Sequence, residues 1–315
     1  MDTDSHDKTT VHATRLAAII EQARHFPPLK TAVVDAEEIH VLEGMLEAHN
    51  EGLIEPLLIG QTEKIRDLLH SIENGAENRF EIIAANHEAQ AAELGVDLVK
   101  QGKANALAKG WIHTDALMHP ALAKLRTGQR ISHVFLADLP SYSKLLFITD
   151  AAINIAPGLA EKAAILQNAV DLARLLGVEL PKVAALSAVE VVKAAIASTI
   201  DAACLSKMAD RGQIHHAIVD GPLAFDNAIS AQAAKIKQIT SPVSGEVDVL
   251  LAPDLNAANI LAKDLEYLAR ATLAGLVVGA AVPIMLPSRS DPPIARLVAA
   301  AIAVLVHQNS TSTTP

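Results

Sequence analysis

Short apolar runs alternate with amphipathic stretches along almost the whole of this 315-residue chain. No other feature narrows the available folds as much. Strand-like runs at 31–34, 56–59, 80–84 and 104–108 are separated by helical patterns at 36–50, 63–72 and 88–101, with a helix at 11–24 before them. Apolar runs of this length between turn signals suit buried strands, and helices between them suit a mostly parallel sheet. The sequence therefore predicts a doubly wound α/β fold. The alternation resumes with helix 158–176, strand 182–186, helix 189–209 (a break being allowed near Ser198 and Thr199), strand 216–220, helix 225–239, strand 247–251 and helix 256–271. The uncharged stretch 271–288 reads as a buried loop and strand, with the strand at 282–286.

Two apolar runs at 131–137 and 144–149 break the rhythm, because only a short polar gap divides them. They predict an antiparallel pair or a crossing between domains, with a boundary near 140. The ends, 1–10 and 308–315, are polar and expected to be disordered. Half the residues are hydrophobic and only 3% aromatic, so the cores should be built from Ala, Leu, Ile and Val. A net charge of −10 argues against a nucleic-acid surface, which needs a clustered basic face. A single cysteine, Cys204, excludes an internal disulfide and a cysteine-based zinc site, and fits a reducing compartment. The first ten residues lack the apolar core of a signal peptide. Gly275, Gly279, Pro283 and Pro287 interrupt 271–288 too often for a membrane span. A soluble cytoplasmic protein with no membrane partner is expected.

Ligands of open α/β sheets bind beyond the carboxyl ends of the strands. The polar residues there are Asp35 and Glu37; Lys109 and Thr114; Ser187 and Glu190; Asp220, Asp226 and Asn227; Asp254, Asn256 and Asn259; and Ser288 with Arg289. Ser, Asp and Asn at such junctions also serve simply as helix caps. Lys109 and Arg289 stand apart, because a cation near a helix's positive end implies an anion there too. Asp291-Pro292 is a helix-start signal, which puts Ser288, Arg289 and Ser290 in a strand-to-helix crevice. Arg289 offers a planar fork for phosphate or carboxylate. Trp111, the one tryptophan, reads as a packing residue, with cleft lining as the alternative. His113, His119 and His133 have no recognised metal-ligand spacing.

Four segments carry a resemblance: Lys109-Gly110-Trp111-Ile112-His113-Thr114; Leu186-Ser187-Ala188-Val189-Glu190 with Ser198-Thr199; Asp220-Gly221-Pro222-Leu223-Ala224-Phe225-Asp226-Asn227-Ala228; and Pro253-Asp254-Leu255-Asn256 through Lys263, followed by Ser288-Arg289. In this order and spacing they resemble the phosphate acetyl/butyryltransferase family. The resemblance implies two doubly wound domains with the active site in a cleft between them, akin to isocitrate and isopropylmalate dehydrogenases. It implies that the last helix returns to the first domain, giving 11–140 plus 288–307 and 141–287. It also implies a homodimer, no metal and no cofactor, with CoA as a substrate. The reaction would be acyl-CoA plus inorganic phosphate giving acyl phosphate plus CoA, acetyl before butyryl. Ser288 would donate to the oxyanion and Arg289 would bind phosphate and carbonyl. The acetyl branch carries an aspartate seven residues beyond the serine, where this chain has Ala295. Asp291 is the candidate base instead, in a Ser-Arg-x-Asp arrangement closer to the butyryl branch. Lys109, Thr114, Ser198, Thr199, Asp220, Asn227 and Asn259 are candidate substrate contacts.

Two other functions compete. A nicotinamide-dependent hydroxyacid dehydrogenase would share the fold and need clustered aspartates for a metal; Asp220 and Asp226 could be invoked, but six residues apart across a strand end they read as turn and cap residues. The chain also has neither a Gly-x-Gly-x-x-Gly nor a Walker-type loop. A catalytically silent CoA- or phosphate-binding homologue is the third reading.

Overall fold

The structure is a computed structural model and describes residues 5–288 and 291–312. After a first helix, α1 (Ser5–Arg24), the chain divides into two compact units. A terminal unit joins Ala13–Ile131 to everything from Ala274 onward, and a central unit is built on Ser132–Leu273 with the start of α1. These divisions fall at 131 and 274 rather than at 140 and 288, because strands after 274 pair inside the terminal unit.

In the terminal unit, β1 (Leu29–Val34), β2 (Ile54–Gly60), β3 (Glu81–Ala84) and β4 (Ala106–Lys109) run parallel. The helices α2 (Ile39–Asn50), α3 (Thr62–Ile72), α4 (Glu88–Lys100) and α5 (Thr114–Lys124) connect and follow them. β10 (Thr272–Val278) and β11 (Ile284–Met285) close the order β3-β2-β1-β4-β11-β10. β11 is parallel to β4 and antiparallel to β10, so the stretch expected to be a loop and one strand holds two paired strands. Val33, Val34, Leu107, Ala108 and Ile284 are wholly buried, as the apolar runs require.

The last helix, α11 (Pro293–Ser312), packs on α2. Arg296 donates to the His40 carbonyl at 2.6 Å, and its Cδ lies where a side chain on Gly44 would sit, 2.8 Å from an added Cβ. Within α11 the segment Pro293–Thr311 is long and apolar enough to cross a membrane, yet 61% of its most apolar window is buried. Val298, Ala300, Ala303 and Val304 have no exposure, which is the pattern of a core helix.

In the central unit, β6 (Leu146–Thr149), β9 (Val249–Leu251), β7 (Lys182–Leu186) and β8 (Ile218–Leu223) are parallel neighbours in that order. β5 (Ser132–Asp138) runs antiparallel to β6, the pairing that the short polar gap predicted. Helices α6 (Leu159–Leu175), α7 (Ala197–Asp210), α8 (Phe225–Ile229), α9 (Ala231–Ile236) and α10 (Leu255–Tyr267) complete the unit.

Several expected boundaries move. The helix read over 189–209 starts only at Ala197, because the Thr199 hydroxyl accepts from the Lys193 amide at 2.9 Å and donates to the Ile196 carbonyl at 2.7 Å, holding 193–196 as a loop. The helix read over 225–239 is two short ones, since Ser230 caps the second through Ala233 N at 3.2 Å. α5 went unread, its pattern masked by Pro120 inside it. At the chain ends, residues expected to be disordered are helical from Ser5 and as far as Ser312. No Gly or Pro interrupts Ser5–Arg24, and Ser310 and Thr311 bond back to the Val306 and Gln308 carbonyls.

Candidate active site

In the terminal unit the carboxyl ends of β1, β4 and β11 converge. Gly110 N donates to the Val34 carbonyl and Trp111 N to the Asp35 carbonyl, each at 2.8 Å. A Cβ on Gly110 would lie 2.1 Å from the Asp35 oxygen, so only glycine permits this approach. Asp35 itself adopts a left-handed backbone, φ 62°. The lock fixes Lys109, which is only 7% exposed. Its ammonium lies 3.4 Å from the Pro287 carbonyl and 3.5 Å from that of Gly110. A buried lysine thus sits against the residue before Ser288.

Ser288 begins a tight turn. Its amide donates to Asp291 Oδ2 at 2.7 Å, and Asp291 N donates to the Ser288 carbonyl at 3.2 Å. Where a forward helix cap was expected of Asp291, this bond runs backward and ties the carboxylate to the serine. Asp291 also borders a groove of about 240 Å³ with His40, Glu43, Glu47, Pro293 and Arg296. Arg289 and Ser290 lie outside the described residues. Thr114 opens α5, half-buried, after His113, whose Nδ1 meets Glu88 Oε2 at 3.2 Å. Hydrogen bonding from His113 holds the exposed Glu88 carboxyl below its ordinary range. Trp111 is 43% exposed, so it is not the core residue that packing would make it.

The central unit gathers a second set. Ser187, just beyond β7, and Ser198, in the first turn of α7, share a hydrogen bond of 2.8 Å between their hydroxyls. Thr199 is wholly buried and its hydroxyl closes the 193–196 loop. Asp220 Oδ1 accepts from its neighbour Gly221 N at 2.8 Å, beside the cis Gly221–Pro222 bond. Asn227 is wholly buried, with Nδ2 3.4 Å from Glu190 Oε2. Asn259 is exposed and donates to the Ala151 carbonyl at 3.2 Å. Asp226 pairs with Lys237 at 2.9 Å, and that hydrogen bond lowers the Asp226 pKa and raises that of Lys237. Asp220 and Asp226 are thus occupied as turn and surface-pair residues, not arranged as metal ligands. Among the described residues no three His, Cys, Asp or Glu side chains could hold a metal together.

Asp150 also stands at a strand end, unmarked by any motif. It follows β6, is 3% exposed, and receives the Ala152 and Ile153 amides at 3.0 Å and the Asn154 amide at 3.2 Å. A single aspartate after an apolar run carries no motif, and only the strand-end position could have flagged it.

A family model described as phosphate acetyl/butaryl transferase matches residues 78–304. The chain belongs to this family. A phosphate acetyltransferase of Rhizobium meliloti is 49% identical over 292 residues, covering 91% of this chain and 92% of the relative. A phosphate butyryltransferase of Clostridium beijerinckii is 38% identical over 291 residues, covering 91% and 96%. Among solved structures, a branched-chain phosphotransacylase from Enterococcus faecalis V583 is 30% identical with a TM-score of 0.75, covering 89% of this chain and 99% of that one. A putative 4-hydroxythreonine-4-phosphate dehydrogenase from Salmonella typhimurium, at 13% identity and TM-score 0.54, covers 89% of this chain and all of that one, and shares the fold alone. The dehydrogenase-type architecture expected of the phosphate acetyl/butyryltransferase family is therefore present, and the dehydrogenase function is not favoured.

Proposed function

We propose that the chain reversibly transfers an acyl group between CoA and inorganic phosphate, with acetyl as the preferred acyl group. The family match over residues 78–304, which spans every candidate residue, carries this reading. Closer identity to the acetyl relative than to the butyryl one, 49% against 38%, supports acetyl.

In the reading, Arg289 and the buried Lys109 hold the phosphoryl group. The CoA thiol gives its proton to Asp291, and the thiolate attacks the acyl phosphate carbonyl. Ser288 donates to the oxyanion as the carbonyl oxygen gains charge. Collapse forms the thioester and expels phosphate, whose charge the cations meet. Thr114 contacts substrate from the start of α5 and Asn259 from the second turn of α10. Ser198 does so through its bond to Ser187, while Thr199, Asp220 and Asn227, engaged inside the central unit, position the loops around it. The reading extends to a cytoplasmic homodimer, which light scattering on the purified protein tests. No nucleic acid or membrane takes part.

Acetyl-CoA with saturating phosphate should release free thiol, and Arg289→Ala should abolish most of that release. If well-folded protein releases no thiol in a phosphate-dependent way, the enzyme reading is wrong and the silent binding homologue takes its place.

A further inference from the structure

Nearly all large apolar side chains described in the terminal unit are buried or partly buried. Among its described residues the exposed ones are Phe26, Trp111 and Ile294, at 37%, 43% and 38%. Two of these three flank the candidate site. Trp111 follows Lys109 by two residues, and the Lys109 ammonium lies against the Pro287 carbonyl, next to Ser288. Ile294 stands in the first turn of α11, three residues after Asp291, whose carboxylate is tied to the Ser288 amide. Exposed tryptophan is costly to leave wet, and at a site it supplies a large rigid contact. Its backbone is also held more tightly than an ordinary loop residue, because Gly110 and Trp111 both donate into the end of β1.

We infer that Trp111 and Ile294 form the apolar boundary of the acyl group and set the chain length the enzyme accepts. The inference rests on the acyl-transfer reading above. In that reaction Ser288 and Lys109 meet the carbonyl oxygen and the phosphate, so the neighbouring apolar surface meets the remaining substituent of the carbonyl carbon, the acyl hydrocarbon. A large indole there leaves room for a short chain and excludes a longer one.

The test is steady-state kinetics with acetyl-, propionyl- and butyryl-CoA on the wild-type protein, Trp111→Ala and Ile294→Ala. Wild-type protein first establishes phosphate-dependent thiol release; its absence would sink the acyl-transfer reading and not this boundary. Given that activity, Trp111→Ala should move the butyryl-to-acetyl ratio of kcat/KM toward butyryl by roughly tenfold or more, since one or two methylenes are discriminated on that scale. Ile294→Ala should shift the ratio in the same direction. An unchanged ratio, or an equal loss for all three acyl-CoAs, would overturn the assignment, the latter placing the indole on the CoA carrier. Should Trp111→Ala fail to fold, the wild-type emission decides, because Trp111 is the only tryptophan. Butyryl phosphate should perturb that emission more than free CoA does; a response to CoA alone would refute the proposal.

Discussion

The tie between Ser288 and Asp291 makes two roles separable by substitution. The bond uses the Ser288 amide and not its hydroxyl, so Ser288→Ala keeps this bond while removing the hydroxyl donor. Its kcat should fall by about 10²–10³, as for loss of one oxyanion donor, with an unchanged thermal midpoint. Asp291→Asn should lower kcat while keeping much of the turn, because the amide oxygen can still accept. Gly110→Ala should behave differently. Its Cβ meets two backbone oxygens, at 2.1 and 2.6 Å, that cannot step aside. Stability should drop by about 2–4 kcal/mol in urea unfolding, with activity lost through displaced Lys109. At this scale the sequence was informative where residue type and position conflict with a simpler role. Lys109 stood out as a cation near a helix start, and it proves buried against the Ser288 turn. Thr199 and Asn227 did not reveal their burial, because a hydroxyl or amide that closes a loop looks in the sequence like one that meets substrate.

Among the elements, α6 and α7 are tied by a nearly buried ion pair. Lys162 Nζ lies 2.6 Å from Asp201 Oδ2, with the lysine side chain 7% exposed and the aspartate 26%. Removing the carboxylate strands an ammonium away from water. Asp201→Ala should cost about 2–4 kcal/mol, and the double variant Lys162→Met, Asp201→Leu should recover most of it, both read by chemical denaturation. The rhythm of strands and helices was legible because short apolar runs between turn signals differ sharply from longer stretches of period 3.6. It failed where a single side chain overrides the pattern. Ser230 divides one expected helix, Thr199 delays another, and Pro120 hides α5. β10 was absorbed into its loop because Gly275 inside it and Gly279 just beyond it read as loop residues.

For the molecule as a whole, acid tolerance should turn on His133. The side chain is 1% exposed on β5, edge-on to Phe135 with ring centroids 4.4 Å apart. Burial pushes its pKa down to about 4, against a smaller opposing attraction from Asp150. An unfolded histidine binds its proton near pH 6.5, so between about 6.5 and 4 the unfolded chain holds more protons than the folded one. Stability should therefore be complete above pH 6.5 and decline by up to about 3 kcal/mol as pH falls to 4. His133→Leu should flatten that limb when urea midpoints at pH 7 and pH 5 are compared, whatever it does to the absolute value. The two units also differ in how the chain supplies them. The central one is complete once residue 273 has been made, whereas the terminal one still lacks β10, β11 and α11 at that moment. A growing polypeptide therefore finishes the central unit before the terminal one, and the serine–aspartate turn emerges only afterwards. A chain stopped between 273 and 288 would hold a whole central unit and no serine–aspartate turn, so under the proposed reading it would fold in part and transfer nothing.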